Sequence, residues 1–360
     1  MLAVLLLVGC QAGPPSAEEP VGDTGVTAPS AATPAVTPGS TADSADDAVD
    51  RVLAISVDGL NPAAIRELGP SRTPAFHRLM REGATTLNAR TAHEETNTLP
   101  NHTGMLTGLR VDDRHGGHGV TFNEDNGTTG HGAAGRYVAS MFDVVHDHGG
   151  STALFTAKEK FTLYQRTWNT HGAQDRTGED NGPAKIDRFA IACNDTSLVA
   201  TLTAELRGSP RELTFLHLSQ PDQAGHDDDF MSQRYLTAVH DTDRLLGQIL
   251  DTIAADPALR SHTLVLLTAD HGGQGESHSD PTQLANYRIP FMAWGPGATA
   301  GRNLYSINPA YRDPGSARTS YRGHQPIRNG DLANLVTDVL DLPPVPGSQL
   351  NHRHTLNVFG

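Results

Sequence analysis

Lysine is almost missing from this 360-residue chain, which has only Lys158, Lys160 and Lys185. Lys and Arg together number 27 against 41 Asp and Glu, and the formal net charge is −14. A chain so poor in positive charge lacks the basic footprint that general nucleic-acid binding needs. Cysteine is equally scarce, with only Cys10 and Cys193. If Cys10 is lipidated, the mature domain can form no intramolecular disulfide, and Cys193 reads as a small buried hydrophobe rather than a catalytic thiol. No G-x-S-x-G is present, which argues against a Ser-His-Asp hydrolase. No G-x-x-x-x-G-K is present, which excludes a P-loop enzyme. No internal repeat is visible, and the first apolar run is too short for the about 20 residues of a membrane span.

That first run reads "MLAVLLLVGC", with no Lys or Arg before it. Its "LVGC" ending has the pattern of a lipoprotein signal whose cysteine carries the lipid. Residues 1–10 are therefore expected to be a signal segment ending at the lipidated Cys10. Residues 11–50 are Ala, Thr, Ser, Pro, Gly and acid, with no aromatic residue. Such a segment buries too little apolar surface to offset its ordering entropy, so it reads as a flexible tether. The expected location is extracytoplasmic, lipid-anchored or secreted. Residues 51–360 remain, enough for one large α/β domain.

Within them, "RVLAISVDG" (51–59), "STALFTAK" (151–158), "LTFLHLSQPD" (213–222), "TLVLLTADHG" (263–272) and "RIPFMAWGPG" (288–297) are short apolar runs, the mark of buried strands. Helical patterns alternate with them. "TPAFHRLMREG" stops at Gly83, and 232–256 carries a stripe through Leu236, Val239, Leu246, Ile249, Leu250 and Ile253, with Ser232 as cap. "NGDLANLVTDVLDL" (329–342) is a last amphipathic helix. This alternation predicts a doubly wound, mostly parallel α/β sheet with helices on both faces. Ligands then bind beyond the C-terminal strand ends. The Gly-, Asn- and Asp-rich stretches of roughly 110–135 and 159–195 are expected to be loops or a small cap.

Three strand ends carry acids: Asp58, Asp222 and Asp270. "PDQAGH" places Asp222 and His226 four apart, "ADHGG" joins Asp270 to His271, and "YRGHQPIRNGDL" supplies His324. Carboxylate oxygen with imidazole nitrogen suits zinc. Each piece alone reads as a surface turn or pair. Upstream, "HEETNTLPNHTGMLTG" (93–108) holds two hydroxyls, Thr96 and Thr98, just before Pro100 and close to His102. Pro100 suits a first helical turn, which places Thr98 at a helix N-terminus, where free amides favour anions.

In this order the pieces resemble the alkaline phosphatase superfamily, and within it the nucleotide pyrophosphatase/phosphodiesterase branch. The resemblance covers roughly residues 51 to 350 and rests on "SVDG", "TPAFHRLMREGA", "NTLPNHTGMLTGL", "HGVTFN", "PDQAGH", "TADHGG" and "GHQPIRNGDLANL". It implies a doubly wound α/β fold, two zinc ions and a phospho-threonine intermediate. It implies that Thr98, not Thr96, is the nucleophile. Asp222, His226 and His324 would hold one zinc, and Asp58, Asp270, His271 and the Thr98 oxygen the other. Asn123 falls where the family places an amide that donates to a phosphoryl oxygen. Leu99, where the family usually has Phe, is a candidate substrate contact. "TAKEKF" holds Lys158 and Lys160, and a related branch, the phosphonoacetate hydrolases, uses lysines in a similar segment to hold substrate.

A sulfatase of the same superfamily would need C/S-x-P-x-R where "TLPNH" stands. The expected activity is therefore phosphodiester or pyrophosphate hydrolysis on a small phosphate ester or phosphoanhydride, with membrane contact through the lipid alone. The alternatives are a phosphomonoesterase, a phosphonoacetate hydrolase-like enzyme, or a surface binding protein with a relict site.

Overall fold

The computed structural model describes residues 49–174 and 182–360. The expected signal, Cys10 and nearly all of the expected tether lie outside the described residues. Residues 47–360 form one compact unit.

Eight strands make one sheet: β1 (Arg51–Val57), β2 (Ala84–Arg90), β3 (Thr152–Thr156), β4 (Arg188–Ile191), β5 (Leu213–Leu218), β6 (Thr263–Thr268), β7 (Arg288–Trp294) and β8 (Arg302–Asn303). Their order is β4-β3-β5-β1-β6-β7-β2-β8. Pairings from β4 across to β6 are parallel, whereas β7 runs antiparallel to both β6 and β2. The central strands β1, β5 and β6 are buried almost throughout, as continuous apolar runs require when helices cover both faces.

Five helices position the site or its supports: α1 (Pro74–Glu82), α2 (Thr98–Thr107), α3 (Gln220–Asp228), α4 (Gln233–Ala255) and α5 (Leu332–Val339). Helix α4 packs against α1 and α3, with Ser232 accepting from the Tyr235 N–H as its cap. Helix α5 packs on α2 and β1. Gly83 ends α1 as expected, but not through a left-handed φ. A Cβ there would stand 2.0 Å from the Ala293 carbonyl oxygen of β7, so only glycine permits that approach.

All five expected strands form, while β2, β4 and β8 lie outside that pattern. β2 reads "ATTLNAR", β4 is a half-exposed edge strand and β8 has only two residues, so none shows a long apolar run. Cys193 is exposed between β4 and the next helix, not buried, because the edge strand leaves the chain at the surface there. The two loop-rich stretches contain short helical turns at Asp113–His115, Gly130–Ala134 and Glu159–Phe161. Among the described residues no helix is long and apolar enough to cross a membrane.

Candidate active site

Strands β1, β5 and β6 lie side by side, so their C-terminal ends bring Asp58, Asp222 and Asp270 together. Asp58 is followed by Gly59 at φ 69°, a left-handed turn in which glycine is unstrained. The turn sends the Gly59 N–H to Asp270 Oδ1 at 3.1 Å. The His271 N–H holds the same oxygen at 2.9 Å.

Two groups of ligand atoms result. Asp58, Asp270 and His271 form one, all buried. Asp222, His226 and His278 form the other, and within each group the atoms lie within 4.8 Å of one another. His324 is not brought in. It lines a different cavity, beside Tyr311, Arg328 and Asn351, because the chain after β8 carries it away from the strand ends. His278 stands where His324 was expected. It comes from the β6–β7 loop, which stays over the site because antiparallel β7 starts at the end where β6 finishes. A histidine between two strand runs of opposite direction was the available signal, but that direction cannot be read from "RIPFMAWGPG".

The buried polar atoms without hydrogen-bond partners include Asp58 Oδ1, Asp222 Oδ1, Asp270 Oδ2 and His271 Nε2. Unsatisfied buried groups are rare and need an explanation. Here they converge: His271 Nε2 is 3.3 Å from Asp58 Oδ1, 3.3 Å from Asp270 Oδ2 and 3.7 Å from Asp222 Oδ1. His226 Nε2 lies 3.1 Å from His278 Nε2 and 3.4 Å from Asp222 Oδ1. The other ring nitrogens of two histidines are already committed. His271 Nδ1 donates to the Gly272 carbonyl at 2.7 Å, and His278 Nδ1 to the Thr96 carbonyl at 2.7 Å. Each thereby presents Nε2 as a lone pair, the arrangement of metal-binding imidazoles. Three carboxylates and three imidazoles with facing lone pairs fit two divalent cations.

Electrostatics agree. Burial opposes ionisation of Asp58, but Lys158, His217 and His271 outweigh it and hold the carboxyl well below its ordinary range. Burial, reinforced by the Asp58 carboxylate, pushes Asp270 well above its range. Burial works against a charged His271, yet Asp270, Asp58 and Asp222 push it up to about 9. The field that would draw a proton there is the field that would hold a cation.

Lys158 spans the two groups. Its Nζ donates to Asp58 Oδ2 at 2.7 Å and to Asp222 Oδ2 at 2.6 Å. Burial disfavours its charge, but the two carboxylates raise it further above the usual lysine range. Three carboxylates crowded in a buried place need compensating positive charge, which Lys158, a protonated His271 or a bound cation can supply.

Thr98 opens α2 and lines the same cavity as Asn123, Lys158, Lys160, Asp222, His226 and His278. The Leu99 N–H donates to Asn123 Oδ1 at 3.0 Å, which turns the Asn123 amide so that its Nδ2 is the remaining donor. Pro100 has no N–H. The Thr98 N–H is thus left without an acceptor among the described residues. The Leu99 side chain is buried in the core and does not line the cavity. Lys160 Nζ donates to the Asn123 carbonyl at 2.6 Å and pairs with Glu124 at 2.9 Å, so it braces the Asn123 loop.

Three buried residues outside the expected set support the groups. His217 Nε2 donates to Asp58 Oδ2 at 2.9 Å. His102 links the Thr98 carbonyl (2.9 Å) to Ser56 Oγ (2.8 Å), and burial, with His217 beside it, keeps its ring neutral. Thr96 accepts from His278 through its carbonyl and returns a bond from Oγ1 to the His278 carbonyl at 2.5 Å. No local pattern in the sequence marks these roles, because Ser56, Asp58 and His278, which these residues meet, lie far from them along the chain.

The profile of the family described as type I phosphodiesterase / nucleotide pyrophosphatase matches residues 52–324, and the chain belongs to that family. Murine ectonucleotide pyrophosphatase/phosphodiesterase 5, in an inactive threonine-to-alanine form in complex with AMP, is similar in structure. It has a TM-score of 0.60 at 14% identity, over 86% of this chain and 100% of that chain. Its human counterpart gives a TM-score of 0.59 at 14% identity, with the same coverage. At that identity the likeness is one of fold.

Proposed function

We propose that this protein is a two-zinc phosphodiesterase with Thr98 as nucleophile. The observation that carries the reading is the convergence of four buried, unpartnered ligand atoms beside Thr98. Asp58, Asp270 and His271, with the Thr98 oxygen, would hold one zinc, and Asp222, His226 and His278 the other. When bound, the two ions supply Lewis acidity that lowers the hydroxyl pKa of Thr98 and neutralises charge on the attacking and leaving oxygens.

The chain's own residues do the rest. Thr98 Oγ1 forms a bond to phosphorus as the bond to the leaving alcohol breaks. The proton of the hydroxyl is lost to solvent, and water then cleaves the phospho-threonine. Asn123 Nδ2 and the Thr98 N–H would donate to a phosphoryl oxygen at the N-terminus of α2, where the helix dipole favours anions. His102 holds the Thr98 carbonyl and so fixes the first turn.

The inactive murine relative carries a threonine-to-alanine change and binds AMP, which supports both a nucleophilic threonine and a phosphate-ester substrate. A neutral amide places less positive charge around phosphorus than a monoester dianion requires. The expected kcat/KM is therefore higher for bis-p-nitrophenyl phosphate than for p-nitrophenyl phosphate, and elemental analysis of chelator-free protein should find close to two zinc ions per chain. A fully active metal-free protein would overturn the reading. One observation favours a second activity: Lys158 and Lys160 both line the cavity. A preference for the monoester or for phosphonoacetate, lost in Lys160→Ala, would make the protein a monoesterase or phosphonate hydrolase.

A further inference from the structure

The phosphodiesterase reading leaves the organic part of the substrate unspecified. The cavity in front of Thr98 has a volume of about 450 Å³, within the range of small-molecule sites. Every residue that lines it is polar or charged. Beyond the ligand groups, Thr98, Asn123 and Lys158, its wall consists of Asn97, Glu124, Lys160, Gln223, Asp227 and Ser279. Small-molecule sites are ordinarily walled by apolar and aromatic side chains, so this lining is unusual.

Among the described residues no Phe, Tyr or Trp lines it, and its only aromatic rings are the imidazoles of His226 and His278. Phe161 is fully buried against His102, His217 and Tyr164. Phe230 is buried among His226, His278 and Tyr235. Phe122, next to Asn123, is partly buried against the core and does not line the cavity. The imidazoles of His271 and His278 are stacked on each other at 3.5 Å. Residues 1–48 and 175–181, which lie outside the description, contain no Phe, Tyr or Trp, so they cannot bring one in.

A nucleobase gains about 1–3 kcal/mol from stacking on an aromatic side chain. A quaternary ammonium group is recognised by aromatic cages. Neither finds its partner in this cavity. A hydroxyl group is both donor and acceptor, and it suits a wall that mixes the two. Beyond the bonds of Lys160 to Asn123 and Glu124 and of Arg234 to Asp227, Lys160 keeps one N–H and Ser279 its hydroxyl as donors, Glu124 Oε2 and Asp227 Oδ1 are acceptors, and the Gln223 carboxamide offers both. Gln223 follows Asp222 on α3 and lies one helical turn before His226 and Asp227, so it stands at the rim of the cavity.

We infer, on the basis of the phosphodiesterase reading, that the physiological substrate is a small hydroxylated phosphodiester without a nucleobase or a quaternary ammonium group, and that Gln223 contacts its hydroxyls. The test uses the full zinc-loaded protein and three alkyl diesters with leaving groups of comparable reactivity: glycerophosphoglycerol, glycerophosphocholine and thymidylyl-thymidine. Cleavage is followed by phosphorus NMR, and bis-p-nitrophenyl phosphate reports the hydrolytic machinery separately. The expected kcat/KM for glycerophosphoglycerol exceeds that for either other alkyl diester by about tenfold, mainly through KM. Gln223→Ala should reduce that preference by about fivefold, the value of one hydrogen bond of about 1 kcal/mol.

Faster turnover of the dinucleotide or the choline ester overturns the inference while leaving the phosphodiesterase reading intact. So does cleavage of the aryl diester with none of the alkyl diesters. Failure to cleave the aryl diester removes the phosphodiesterase reading itself, and this inference with it.

Discussion

Thr98 and Thr96 stand two residues apart and have different surroundings. Thr98 begins α2 and lines the cavity, whereas Thr96 has both its oxygens engaged by His278. Thr98→Ala should lower kcat by ~10⁴ or more, as loss of other nucleophiles does, with zinc content largely retained. Steady-state rates and elemental analysis on the same sample check both halves. Thr96→Val keeps the shape and removes the hydroxyl that serves the His278 carbonyl. It should weaken zinc at the Asp222 centre by about tenfold, the lower end for changes in groups that orient ligands. Thr96→Ser should restore binding. His278→Ala should lose one equivalent of zinc and His324→Ala none, as measured by metal analysis after dialysis. If His324→Ala loses zinc and His278→Ala does not, the assignment of the Asp222 centre is wrong.

At the scale of elements, the reversed strand β7 matters most. It returns the β6–β7 loop across the strand ends and so delivers His278. A second device lies before α5, where the Asp331 side chain accepts from the Arg328 N–H at 2.7 Å. Burial pushes Asp331 up to about 7, with its hydrogen bond to the Arg328 backbone and the Arg328 charge opposing. An unfolded aspartate releases its proton near 4. Between those values the folded protein binds more protons than the unfolded chain, so this group makes stability fall as pH rises from about 4 to about 7 and adds no slope above that. Thermal melting across this range, with zinc in excess, should show a shallower decline in Asp331→Asn than in the parent. Equal slopes would mean that Asp331 ionises freely.

For the whole molecule, the site is a cluster of three buried carboxylates beyond the C-terminal ends of the central strands. Chelation should lower the melting temperature of the parent by several degrees, and by less in Asp58→Ala, which has already lost one carboxylate. Scanning calorimetry with and without chelator measures this. A chain that melts identically in both conditions holds no structural cation. The proposed anchor at Cys10 belongs to the same scale. Cys10→Ser should release the protein from the membrane fraction, and unchanged partition would show that lipid is not what holds it there.

Asp58, Asp222, His226, Asp270 and His271 were legible as candidates in the sequence because each follows an apolar strand run. A strand end is a local event, marked by where hydrophobicity stops. The alternation of strands and helices likewise foretold the parallel centre of the sheet and its helical cover. Thr98 was legible through its place before Pro100, since a proline in a first turn marks a helix start. His278, His217 and the role of Thr96 were not legible. Each depends on a partner more than 100 residues away, and on strand order or direction that no local pattern encodes. His324 was misplaced for the same reason: its surroundings in sequence resemble a ligand's, but the fold carries it to another cavity. The sequence by itself determined which side chains were available at the strand ends. Tertiary structure alone decided which of them face one another and that His278 joins them, because the facing of these side chains is set by the order and direction of β1, β5, β6 and β7 across the sheet.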